Sequence, residues 1–275
     1  MKLRYLVAVP VVSVLVFLLL KEIQEPYLWL FVDDHLDPKP APRTLWLSPG
    51  MAVRLYSDTR PHTGKVARLQ KGLVLEVEGD ELVEEGFGFG LPLVEVEGQA
   101  YLSRSATVKP VGNTLVKKYA MDTIDTPSGF LRHKYEPVSS IGTVVVSYTV
   151  GVDSIHAVAD LSGLKADWSR VYLMNEQGAR AFTRYREPGL EVEGDQFGKW
   201  QPTMARRGCI AAGDNSVQFC VETENEGPRY YGRERYNQYY WIGMYVLSWA
   251  GIDLELAPPE NLFEYRIRVE RRNSE

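Results

Sequence analysis

Two hydropathy patterns divide the chain. Residues 5–20 form one apolar run, interrupted clearly only at Pro10 and Ser13 and preceded by Lys2 and Arg4. Beyond it, apolar residues recur in short alternating stretches set between glycine, proline and polar clusters. At about 1.5 Å of rise per residue the first run makes a helix of about 24 Å, close to a hydrocarbon core. Arg4 and Lys21 can snorkel at its two ends. Residues 1–22 are therefore expected to be a cytoplasmic n-region and a transmembrane helix, acting as a signal-anchor. A cleaved signal peptide would need small residues just past the run; the chain continues Lys21-Glu22-Ile23-Gln24-Glu25-Pro26 instead. Two basic residues before the span, against Lys21 after it, place the N-terminus in the cytoplasm of a bacterium and the main domains in the periplasm, single-pass in the inner membrane.

Residues 23–46 read as an interfacial segment and linker. Tyr27, Trp29 and Phe31 suit the membrane–water boundary, where amphipathic rings sit, and equally suit packing beneath the first domain. Pro38, Pro40 and Pro42 alternate with other residues, which favours extended backbone and a semi-rigid spacer.

The second pattern predicts an all-β fold. Val74-Leu75-Glu76-Val77-Glu78 and Val94-Glu95-Val96-Glu97 alternate with the period of a strand, so Glu76, Glu78, Glu95 and Glu97 are expected on a solvated face. Residues 111–141 are less regular and read as a connector. Over 142–275, candidate strands at 143–150, 155–160, 170–175, 180–185, 209–212, 217–222, 238–247 and 263–269 have the spacing of a β-sandwich. The hexapeptide Leu75-Glu-Val-Glu-Gly-Asp80 recurs as Leu190-Glu-Val-Glu-Gly-Asp195, too short a match to establish a repeat.

Within 47–110, four pieces stand together: Val53-Arg54-Leu55-Tyr56-Ser57, then Gly64 to Gly72 (GKVARLQKG), then Val74 to Gly79, and a closing Gly98-Gln99-Ala100-Tyr101-Leu102-Ser103. This segment resembles a bacterial SH3-like (SH3b) domain. The resemblance implies a small barrel, with Gly72 at a hairpin turn and Gly98 where the closing strands bend. It also implies a peptidoglycan-binding role in the cell envelope.

The formal net charge of −5 over 275 residues gives no electrostatic footprint for nucleic acid. The only cysteines are Cys209 and Cys220. A hairpin turning at Asp214-Asn215 would set them directly opposite, close enough for a disulfide, which needs an oxidising compartment. No cofactor, metal site or catalytic residue is expected. His35, His62, His133 and His156 are scattered, and Gly86-Phe-Gly-Phe-Gly90 runs into a strand rather than the helix a dinucleotide loop requires. Asp153, Ser154 and His156 are near in sequence, but neighbours on a strand face opposite ways.

The densest aromatic stretch is Tyr230 to Trp241. Tyr230, Tyr231, Arg233, Arg235, Tyr236, Tyr239, Tyr240 and Trp241 are the side-chain types that dominate protein–protein hot spots, and they could also stack on sugars. Anchor, spacer and aromatic patch together suggest a non-catalytic accessory or structural subunit. It would contact the lipid bilayer and the subunits of a larger integral membrane protein complex, such as a respiratory or photosynthetic one. The alternative is peptidoglycan binding through the SH3-like segment.

Overall fold

The computed structural model describes residues 42–57, 69–82, 87–128, 132–178, 182–214, 216–240 and 243–271. The expected transmembrane helix lies outside them, as do Tyr27, Trp29, Phe31 and Trp241. Among the described residues no helix is long and apolar enough to cross a membrane. The first strands are β1 (Arg43–Ser48), β2 (Met51–Leu55), β3 (Val74–Val77), β4 (Asp80–Glu81), β5 (Gly88–Val96), β6 (Gln99–Leu102) and β7 (Ser105–Val111). There follow β8 (Thr114–Ala120), β9 (Thr123–Ser128), β10 (Arg132–Pro137), β11 (Thr143–Val150), β12 (Ser154–Asp160), β13 (Arg170–Gly178) and β14 (Phe182–Glu187). The last are β15 (Leu190–Glu193), β16 (Gln201–Thr203), β17 (Arg207–Ala212), β18 (Val217–Glu222), β19 (Arg229–Tyr240), β20 (Gly243–Leu256) and β21 (Leu262–Arg271).

Two large sheets carry the fold. One has eight strands in the order β10-β9-β6-β5-β13-β20-β19-β16, the other nine in the order β15-β14-β17-β18-β21-β12-β11-β8-β7. Period-two patterning drives them together. In β11, Val144, Val146, Tyr148 and Val150 are buried while the alternate residues are half-exposed, and β12 and β21 repeat the pattern. Rings cross the gap: Phe89 of β5 meets Phe219 of β18 edge-to-face at 5.0 Å, and Tyr185 of β14 stacks on Tyr231 of β19 at 3.8 Å. This is sheet-on-sheet packing with the core between.

Three buried tyrosines, Tyr119, Tyr148 and Tyr265, bring hydroxyls into that core. Tyr148 donates to the Phe89 carbonyl at 2.7 Å, and Tyr119 donates to the Lys71 carbonyl at 3.2 Å beside the buried Lys117 ammonium, which donates to the same oxygen at 2.8 Å. Burial pushes all three phenols well above their usual range. The pairing of β5 with β13 shifts register between Met174 and Asn175, and Gly90 sits at that bulge with φ +74°. A Cβ there would lie 2.6 Å from the hydroxyls of both Tyr148 and Tyr265. Gly90→Ala is expected to cost about 1–3 kcal/mol by overpacking alone, with left-handed strain added, read by chemical denaturation.

The sheets do not follow the expected division of the chain. Of the segment 47–110, β1 to β4 form a separate four-stranded sheet, β5 and β6 enter the eight-stranded sheet, and β7 enters the nine-stranded one. The stretch 111–141, expected as a connector, supplies β8, β9 and β10 to the two large sheets. The expected strand 238–247 is the end of a hairpin, with β19 pairing β20 from Arg229↔Leu254 to Tyr240↔Gly243. The expected solvated face holds for Glu78 and Glu97, which are exposed, but Glu76 is buried and paired with Arg54. Both exposed glutamates are turn residues. Glu78-Gly79 and Glu97-Gly98 have positive φ throughout (53°, 93° and 51°, 78°), the left-handed pair that two-residue hairpins use. In the second copy of the hexapeptide, Gly194–Gln196 forms a 3-10 turn instead.

Cys209 and Cys220 pair directly across β17 and β18 and are joined, with S–S 2.06 Å and Cα atoms 4.0 Å apart. Replacing both by serine is expected to cost about 2–3 kcal/mol through a looser unfolded chain. The check is a melting point below that of oxidised wild type but equal to that of fully reduced wild type.

Candidate functional site

Along β13, Val171, Leu173 and Asn175 face the nine-stranded sheet, so Arg170, Tyr172 and Glu176 face the other way. The register carries this outer face across the sheet: Glu95 opposes Arg170, Tyr172 opposes Glu255, Tyr230 opposes Asp253, and Glu176 lies between Gly88 and Gly251. Gly232 opposes Gly251 one strand further on. The glycines are there because neighbours fill their space. A Cβ on Gly251 would fall 2.9 Å from the Glu176 Cγ, and one on Gly232 would fall 2.7 Å from Trp200.

Two sets of groups meet on this face. The more open set is aromatic and charged. Tyr172 and Tyr230 lie with ring centroids 6.2 Å apart, and the Tyr230 hydroxyl donates to Glu255 Oε2 at 2.8 Å. Arg170 places Nε 3.8 Å from Glu255 Oε1 and donates from Nη1 to the Tyr172 hydroxyl at 3.4 Å. The hydrogen bond to Glu255, then burial, pushes the Tyr230 phenol up to about 12. Further along β20, Trp249 lies edge-on to Phe87 at 6.1 Å.

The deeper set is a carboxyl pair. Asp253 accepts the Asn175 backbone N–H at 3.1 Å and is hydrogen-bonded to the side chain of Glu176, which is only 3 % exposed. Burial raises the Asp253 carboxyl to about 7, against the lowering pull of those two hydrogen bonds. Asn175 holds the junction from inside the sandwich. It accepts the Gly90 N–H on Oδ1 at 3.1 Å and donates Nδ2 to the carbonyls of Leu173 at 3.0 Å and Ile252 at 3.1 Å. A carboxyl that titrates near neutrality beside a second carboxyl can take up and give back a proton at physiological pH.

The raised value has a measurable consequence. An unfolded aspartate titrates near about 3.9, so between there and about 7 the folded chain keeps a proton that the unfolded chain has lost. Stability linked to that proton is complete below about 3.9 and is lost as pH rises through about 7. Asp253→Asn, which cannot ionise, is expected to gain in melting temperature relative to wild type across that window and to keep a constant margin above it.

Of the eight residues in the expected aromatic patch, Tyr230 reaches this face. Tyr231 is 5 % exposed in the core against Tyr185. The Arg233 backbone N–H donates to the Gly198 carbonyl at 2.8 Å. Arg235, Tyr236, Tyr239 and Tyr240 take strand positions in β19 opposite Ser248, Leu247, Met244 and Gly243. On the far sheet, His156 pairs with Glu264 at 3.2 Å and Asp153 with Arg268 at 3.7 Å, so they form no triad with Ser154. Sequence reasoning missed Arg170, Tyr172, Asn175, Glu176, Asp253 and Glu255. The available signal was the polar run Asn175-Glu176-Gln177 closing an apolar strand. Among the described residues no group of three or more His, Cys, Asp or Glu is placed to hold a metal.

No family model matches the sequence, and no curated protein does. Solved structures do. A Paenibacillus xanthan lyase aligns with TM-score 0.51 at 11% identity, over 86% of this chain and 26% of that one. A 4-alpha-glucanotransferase from Thermococcus litoralis aligns at 0.44 and 8% identity, over 86% of this chain and 40% of that one. A galactose mutarotase-like protein from Lactobacillus casei aligns at 0.42 and 8% identity, over 84% of this chain and 100% of that one. The xanthan lyase likeness runs against two expectations, that of a non-catalytic accessory or structural subunit with its peptidoglycan-binding alternative, and that of no enzymatic role. The chain has the β-sandwich-like fold of a region of the xanthan lyase, and that fold is what the comparison establishes.

Proposed function

We propose that the outer face of the eight-stranded sheet binds a carbohydrate and that the Asp253–Glu176 pair carries out acid–base chemistry on it. The observation that carries this reading is the carboxyl pair, with Asp253 raised to about 7 and directly opposite Tyr230 of the Tyr172–Tyr230 platform. Sugars offer apolar C–H faces that lie on aromatic rings and hydroxyls that bridge to carboxylates and guanidinium groups. Tyr172 and Tyr230 supply the rings; Glu255 and Arg170 supply the polar contacts. A proton then has to be delivered to, or taken from, a sugar oxygen or carbon, and Asp253 is poised for either direction near pH 7. The fold shared with a region of a xanthan lyase supports the reading, and the disulfide supports folding in an oxidising compartment.

The test is calorimetric titration of the full chain with a panel of oligosaccharides, wild type against Tyr172→Ala with Tyr230→Ala. Binding of at least one sugar in wild type, weakened tenfold or more by the double variant, is the expected result. Either an absence of binding across the panel or equal binding by the double variant would remove this assignment.

A further inference from the structure

We infer that the sugar taken by this face is an amino sugar with a free, positively charged ammonium group. The inference rests on the carbohydrate reading and concerns which class of sugar the same site accepts.

The rows that build the face bring Glu95, Glu176, Asp253 and Glu255 together with Arg170. With one proton shared within the Asp253–Glu176 pair, carboxylates still outnumber the guanidinium. Arg170 is shared among Glu255, Glu95 and the Tyr172 hydroxyl, so a single guanidinium is set against several carboxylates. Between strands, Glu95 lies within electrostatic reach of both Arg170 and Tyr172. A sugar carboxylate or sulfate entering here would meet like charge at the platform. An ammonium group would meet the opposite. It can donate up to three hydrogen bonds, and carboxylate oxygens are its natural acceptors.

The aromatic pair points the same way. The faces of Tyr172 and Tyr230, 6.2 Å apart and inclined at 59°, form a corner in which each ring offers the negative face of its quadrupole. A cation held against such rings gains about 0.5–2 kcal/mol. The Tyr230 phenol is fixed by its 2.8 Å bond to Glu255, which keeps the corner and the carboxylate in one unit. Shape, charge and ring electrostatics therefore favour one ligand class over both neutral and acidic sugars.

The probes are glucosamine oligomers, their fully N-acetylated counterparts, and oligogalacturonate of equal length, titrated at neutral pH in low and in high salt. Glucosamine oligomers are expected to bind at least tenfold tighter than either competitor at low salt, with the gap narrowing as salt rises. Glu95→Gln should narrow the gap by weakening glucosamine binding more than binding of the N-acetylated form. Equal or tighter binding of the N-acetylated or uronate oligomers, still dependent on Tyr172 and Tyr230, would overturn the amino-sugar assignment and leave the carbohydrate reading standing. Binding of none of the three would overturn the amino-sugar assignment, while the carbohydrate reading would stand or fall on the wider oligosaccharide panel.

Discussion

An Asp253→Asn variant is expected to fold and to bind sugar while turning it over about a hundred- to ten-thousandfold more slowly. The amide is nearly isosteric with the acid. It still accepts the Asn175 N–H, so the local geometry survives the change. What disappears is the transferable proton. In wild type, kcat/KM should show a limb with an apparent pKa near 7, set by the pair rather than by Asp253 alone, because Glu176 shares its hydrogen bond. In the variant that limb should vanish. Unchanged turnover, or an unchanged limb, would move the chemistry elsewhere on the sheet. Glu255→Gln makes a useful contrast, since its expected signature is weaker binding with turnover less affected, as fits a group that holds sugar and orients Tyr230.

The second large effect belongs to the fold. Tyr231→Ala is expected to destabilise the chain by about 3–5 kcal/mol. Its ring lies parallel to Tyr185 at 3.8 Å and 1°, is 5 % exposed, and bridges the two sheets. No neighbour can collapse fully into the space, because strand positions on both sides are fixed by the pairing of β19 with β20 and of β14 with β17. Tyr231→Phe keeps the stack and loses only the 3.1 Å bond to Gln201, so it should cost about 1 kcal/mol. Denaturant midpoints for the two variants separate ring packing from the hydroxyl.

The strands of the second half were legible because one of their faces is solvated. The alternation in β11 and β12 and the facing cysteines of β17 and β18 need only period-two reasoning. Strand allegiance was not legible. β3 and β5 both fall in the segment that resembles one SH3-like barrel, yet β5 joins another sheet and pairs with β13, a pairing across many residues that no local signal encodes. The aromatic run of β19 was visible as a run, but alternation splits it, so Tyr230 serves the outer face while Tyr231 serves the core. The candidate site escaped for a related reason. Asp253 and Glu255 alternate with Ile252, Leu254 and Leu256, which is how an ordinary half-solvated strand reads. Only the register brings Asp253 beside Glu176, and only burial raises its carboxyl.

The position of β21 sets an order on folding. It is the last of the described strands, yet it lies inside the nine-stranded sheet, between β18 and β12. Without it, that sheet is two separate pieces, β15-β14-β17-β18 and β12-β11-β8-β7, each with an unpaired inner edge. Synthesis therefore delivers the keystone strand after almost everything it must join, and closure of the sandwich waits on pairings of long sequence separation, which are slow to form. Until then two apolar edges stay open to pairing with other chains, so a chain cut short before Leu262 should aggregate rather than persist as a smaller folded unit.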